Sequence, residues 1–107
     1  MKYTVIIDPG AKTDLKELYL FVAINDGIQA ANKLLDALEE TCYKLEEYPE
    51  RGHIPPELIP TGIKNYLELH YKSYRIIYEI DKKEVYVHLV IDGRRNVQDI
   101  LSQRLLR

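Results

Sequence analysis

The stretch that decides the fold is NYLELHYKSYRIIYEIDKKEVYVHLVI, residues 65–91. It divides into three runs of alternating apolar and polar residues, separated by Lys72-Ser73 and by a charged Asp-Lys-Lys-Glu turn. A period of two is the signature of a strand with one buried face, and short polar breaks between such runs predict hairpins. Leu67, Leu69 and Tyr71 share one face of the first run. Tyr74, Ile76, Tyr78 and Ile80 share one face of the second, and Val85, Val87, Leu89 and Ile91 one face of the third. Pairing Tyr71 with Tyr74 places His70 opposite Arg75. Pairing Ile80 with Val85 places Ile77 opposite His88 and Arg75 opposite Val90.

Upstream, KYTVII reads as a further strand, and Asp8-Pro9 reads as a helix start, with Asp8 as N-cap and Pro9 in the first turn. Ala11, Leu15, Leu18, Tyr19 and Val22 then recur at helical spacing until Asn25-Asp26-Gly27. Ile28, Ala31, Leu35, Leu38, Cys42 and Leu45 step by three and four through a second, amphipathic helix. The two helices form a hairpin hinged at Gly27. YPERGHIPPELIPTG, residues 48–62, carries four prolines and two glycines and reads as a long loop, a place where function concentrates. VQDILSQRLLR closes the chain as a short helix expected to be mobile through Arg104 and Arg107 when nothing binds it. The predicted class is α+β in the order β-α-α-β-β-β-α, a helical hairpin on one face of a small, mainly antiparallel four-stranded sheet. At 107 residues the chain has the length of one domain, taken as residues 1–107.

Composition excludes several classes. Hydrophobic residues make up 46% and charged residues 30%, which is ordinary for a folded chain. No apolar run approaches a membrane span. One cysteine, Cys42, permits no internal disulfide and fits a reducing cytoplasm. The net charge is −2, against the excess positive charge of a dedicated nucleic-acid binder. The charge is uneven. Residues 1–63 carry 6 Lys/Arg and 11 Asp/Glu, a net of −5, and residues 64–107 carry 9 and 6, a net of +3.

Strand parity assigns the sheet face turned away from the helices. Tyr66, Glu68, His70, Arg75, Ile77, Glu79, Tyr86 and His88 fall on it, with Arg94 and Arg95 just past its edge, after Gly93. Composition and spacing end at a small domain with a polar concave face framed by a proline-rich loop. His70 and His88 find no third ligand at metal spacing, so no metal and no other cofactor is expected. Cys42 lies on a buried helix stripe and reads as core.

Four stretches together resemble the RelE/ParE superfamily of toxins from toxin–antitoxin modules, also called plasmid stabilisation proteins. They are DPGAKTDLKELYLFV (8–22), LEEYPERG (45–52), SYRIIYEI (73–80) and VIDGRRNVQDILSQRLLR (90–107). The resemblance spans nearly the whole chain. It implies a cytoplasmic toxin held in a hetero-oligomer by a cognate antitoxin, with no membrane role. It also implies one of two targets: the ribosome, where messenger RNA is cut on the concave face, or DNA gyrase, which is poisoned without enzymatic cleavage. The alternative is a non-toxic, degenerate protein-binding module of the same fold.

For the nuclease branch, the resemblance carries the phosphate-gripping arginines to Arg75 and Arg95, with His70 as the nearby candidate for proton transfer. Arg94, His88, Lys72 and Tyr66 are candidates for phosphate or partner binding. The lysines of that branch are replaced by Tyr66 and Glu68, and its C-terminal tyrosine falls near Leu101. An acidic, amphipathic antitoxin segment is expected near Arg75, Arg94 and Arg95, on grounds of charge complementarity.

Overall fold

A computed structural model of the chain describes residues 2–106. Strand β1 (Thr4–Ile7) leads into helices α1 (Pro9–Asp26) and α2 (Ile28–Tyr43), followed by β2 (Leu67–Tyr71), β3 (Tyr74–Asp81), β4 (Glu84–Asp92) and α3 (Val97–Arg104). The sheet order is β1-β4-β3-β2; β1 runs parallel to β4 and the other pairs are antiparallel. The expected class and element order are both observed.

Only Gly27 separates the two long helices. Its φ of 100° lies where a side chain would be strained, which explains glycine at the hinge. Ala11 and Leu15 of α1 and Leu38 and Cys42 of α2 pack with Ile7, Ile76, Tyr78, Val85, Val87 and Val90 in one core. Burial holds the Cys42 thiol up at about 12, so it stays protonated and inert. Asp8 occupies the N-cap position of α1, but its carboxylate makes no capping bond and reaches His88 instead.

Strand β4 departs from simple alternation. Ile80 pairs with Val85 as expected, yet Tyr78 faces Val87 while Ile77 faces Leu89 and Arg75 faces Ile91. His88 is the extra residue of a β-bulge, and the bulge reverses side-chain parity beyond it. Val90 therefore joins the helix-hairpin core, and Leu89 and Ile91 turn to the opposite face. Two anchors outside the sheet support the irregular segment. The Val90 amide donates to Asp14 of α1, and Arg104 of α3 donates to both Asp14 oxygens and to the His88 carbonyl.

The reversal corrects the expectation of an open polar face. Leu89, Ile91 and Ile77 form a second core with Leu58, Val97 and Leu101. The proline-rich segment supplies Leu58 from a 3₁₀ turn (Pro56–Thr61), and α3 supplies Val97 and Leu101. Apolar residues exposed by the bulge would each forfeit about 1.5–3 kcal/mol in water, which accounts for their cover. The loop is also tied from within, because the buried Tyr78 hydroxyl donates to the Pro49 carbonyl and accepts from the Gly52 amide. Through Arg104, α3 is fastened to α1, contrary to the expected mobility; Arg107 lies outside the described residues.

Candidate functional site

What remains open on that face is a hollow of about 370 Å³ at the β2–β3 turn end, where His70, Lys72, Arg75 and Arg94 come together with His53 and Glu68. Gly93 makes this closeness possible. Its amide donates to the Ser73 carbonyl, and an added Cβ would stand 2.7 Å from that oxygen and 3.0 Å from Cδ of Arg75. The glycine is thus required by close approach rather than by an unusual backbone angle.

Arg75 is opposite His70, as the register predicts, but its charge is already spoken for. Nε donates to Glu68 at 2.6 Å, and the two terminal nitrogens fork onto Glu57 at 2.8 and 2.7 Å. The Arg75 side chain is 11% exposed and that of Glu68 1%. Hydrogen bonds to Glu57, and then to Glu68, bind its proton more firmly than in free arginine. In return, hydrogen bonding to Arg75 outweighs burial and lowers the Glu57 pKa below the ordinary 4.5. Arg94 is exposed and pairs with Asp92 at 2.6 Å.

Two predicted members lie elsewhere. Arg95 lines a separate cleft of about 430 Å³ on the α1 side of the sheet, with Asp14, Leu18, Phe21 and Val90. No ion pair is formed by its guanidinium among the described residues. His88 sits between Asp8 (2.5 Å) and Glu79 (2.9 Å), with the Tyr66 ring edge-on at 5.7 Å. The expected single hollow holding Arg75, both histidines and Arg95 is therefore divided in three, because the bulge and the covering α3 separate the strand's end from its middle. Leu101 points into the second core, away from the hollow.

Sequence reasoning did not reach Glu57, His53 or Asp14. Glu57 and His53 sit in an irregular segment with no period to place them. Asp14 interrupts an apolar helix stripe, and a charged residue at such a position was the available signal for a buried partner.

The Glu57 shift has a pH consequence. A carboxylate whose pKa is lower folded than unfolded adds stability above its unfolded value, and that stability is lost as pH falls through the folded value. Denaturant midpoints measured at successively lower pH should therefore start to fall near pH 4.5. In Glu57→Gln the decline should be shallower; an unchanged acid limb would show that the Arg75 fork adds nothing to folding.

The fold and hollow can be set beside known proteins. The pattern of a family described as ParE toxin of type II toxin-antitoxin system, parDE, matches residues 5–97. The chain belongs to this ParE toxin family. Toxin ParE3 of Caulobacter vibrioides is 24% identical over 91 residues, covering 85% of this chain and 87% of that protein. Among solved structures, the chromosomal ParDE system from P. aeruginosa matches with a TM-score of 0.71 at 15% identity, over 85% of this chain and 96% of the other. A RelE toxin mutant from E. coli in the free state matches with a TM-score of 0.67 at 19% identity, over 100% and 98%. The RelBE2 toxin–antitoxin complex from Mycobacterium tuberculosis gives 0.63 at 23% identity, over 86% and 92%. Solved structures named for ParE and for RelE toxins thus share this fold.

Proposed function

We propose that this ParE-family chain is a toxin neutralised by a cognate antitoxin, and that it acts by binding DNA gyrase rather than by cutting messenger RNA. The observation carrying this reading is the state of Arg75. A guanidinium forked onto one carboxylate and bonded to a second, buried one spends three of its five N–H donors on them and has its charge offset, so it has little left to stabilise charge developing on a phosphate. Cleavage also requires a group to protonate the leaving oxygen, and Leu101 can supply no proton. Arg95, the other arginine of the expected pair, opens on a different cleft.

That cleft is the proposed seat of the antitoxin. Leu18 and Phe21 give it an apolar floor, and Arg95 gives it a cation that forms no ion pair among the described residues. Asp14 and Asp92 beside it are held by Arg104 and Arg94, Glu17 lies on its lining, and Leu20 and Ile24 stand exposed on the same helix. An amphipathic segment with an acidic residue toward Arg95 matches this surface. The expected acidic docking at Arg75 and Arg94 is less well supported, since both arginines already hold carboxylates. The matched structures that are named as toxin–antitoxin systems support an antitoxin as partner.

The test runs two assays in parallel on the purified chain: DNA supercoiling by gyrase, and integrity of ribosome-bound messenger. Inhibited supercoiling, relieved by the antitoxin encoded beside the gene, with intact messenger, is the expected result. Cleaved messenger with normal supercoiling would overturn the reading in favour of the ribosome. Neither effect would leave the non-toxic binding module.

A further inference from the structure

We propose that His53, Glu68 and His70 form a binding site for a divalent transition-metal ion of the zinc type. The three residues were not legible as a set, because the third ligand comes from the irregular segment. His53 pairs with Glu68 as an isolated antiparallel bridge, with the His53 amide donating to the Glu68 carbonyl and the Glu68 amide to the His53 carbonyl. Directly opposite positions in such a bridge put their side chains on one face. His70 follows Glu68 by two residues in β2, and so shares that face too. Backbone pairing therefore sets the positions of all three before any ion arrives.

Their atoms converge. Oε2 of Glu68 lies 2.9 Å from Nε2 of His53 and 3.5 Å from Nε2 of His70. The three ligand atoms all lie within 4.8 Å of one another. A tetrahedral ion with bonds of about 2.0–2.1 Å needs ligand atoms roughly 3.3 Å apart. Two of the three edges are near that value, and the third can close by rotation of the half-exposed imidazoles. The rings meet edge to face, at 69° between planes, rather than stacked. Simple histidine–carboxylate hydrogen bonding explains His53 well. It explains His70 less well, because at 3.5 Å this ring stands at the outer limit of a hydrogen bond to an oxygen it shares with His53.

The surroundings complete the case. Oε1 of Glu68 is held by Arg75, the kind of outer contact that orients a ligating carboxylate. Arg75 would repel a cation on its own, but Glu57 neutralises it. With neutral imidazoles, Arg75, Glu57 and Glu68 sum to a net −1. Two imidazoles and one carboxylate suit zinc, cobalt or nickel, whereas magnesium and calcium prefer all-oxygen shells. The fourth position would open on the hollow beside Lys72 and Arg94 and accept water or an anionic group of a partner. An ion here would also clamp the proline-rich segment to β2. None of this depends on which target the toxin strikes.

The test is titration of the tag-free, metal-stripped chain with Zn²⁺ by calorimetry, and with Co²⁺ by visible absorption. One ion per chain is expected, with intense cobalt bands of a four-coordinate site. Affinity should fall by at least about tenfold in His53→Gln and in His70→Gln, and be retained in His88→Gln, which removes the histidine outside the cluster. Far-UV circular dichroism confirms that each variant is folded. Absence of saturable binding by the parent chain would overturn the proposal. So would binding that survives the double His53→Gln/His70→Gln change.

Discussion

Arg75→Ala is expected to destabilise the fold by about 3–5 kcal/mol, the loss seen when one partner of a buried ion pair is removed. The magnitude follows from what is left behind. Glu68, 1% exposed, would keep only imidazole neighbours, and the Glu57 carboxylate would lose both of its fork contacts. The pair at Glu57 is more open, at 24% side-chain exposure, and accounts for the smaller share. Chemical denaturation of the purified variant measures the sum. An apolar replacement of both buried partners, Arg75→Met with Glu68→Leu, should recover much of the loss, since a well-packed apolar pair often matches a buried ionic one. A loss below about 1 kcal/mol in Arg75→Ala would assign the arginine to an exposed pair's role, and would return it to the pool of residues available for phosphate. The experiment therefore bears on function as well as on folding. An arginine that stabilises the chain this strongly is a poor candidate for a mobile catalytic cation.

The second large effect is expected at Leu101. Leu101→Ala should cost about 2–5 kcal/mol, the range for a leucine removed from a packed interior. Leu101 is 1% exposed and sits with Leu58, Ile77, Leu89, Ile91 and Val97, so the change empties space shared by α3, the sheet and the proline-rich segment. Collapse into that space is restricted, because Arg104 holds α3 to Asp14 and Tyr78 holds the loop. The upper half of the range is therefore expected. Thermal or denaturant unfolding supplies the check. A change within about 0.5 kcal/mol, typical of exposed positions, would mean that α3 does not close the second core.

Several elements were legible before the structure because their physics is local. Period-two alternation in β2 and β3 set which of their residues face the helices. The Tyr71–Tyr74 turn then placed His70 opposite Arg75. Pro9, Gly27 and the three-four stepping of Ala31, Leu35, Leu38 and Cys42 marked the helical hairpin. In β4 the same alternation misled. Leu89, Val90 and Ile91 are all apolar, as in any strand covered on both faces, so nothing in their order indicates where parity reverses. Asp14 and Arg104, which brace the bulged segment, come from distant parts of the chain.

The sequence by itself thus determined the element order, the hairpin, the main core and the group of His70, Lys72, Arg75 and Arg94 near one turn. Periodicity and turn chemistry depend only on near neighbours. Only the tertiary structure decided that Arg75 is neutralised, that Arg95 opens on another cleft, and that His53 converges on His70 through Glu68. Each of those outcomes depends on contacts between segments with no fixed spacing along the chain, brought together by the bulge in β4 and the folded proline-rich segment.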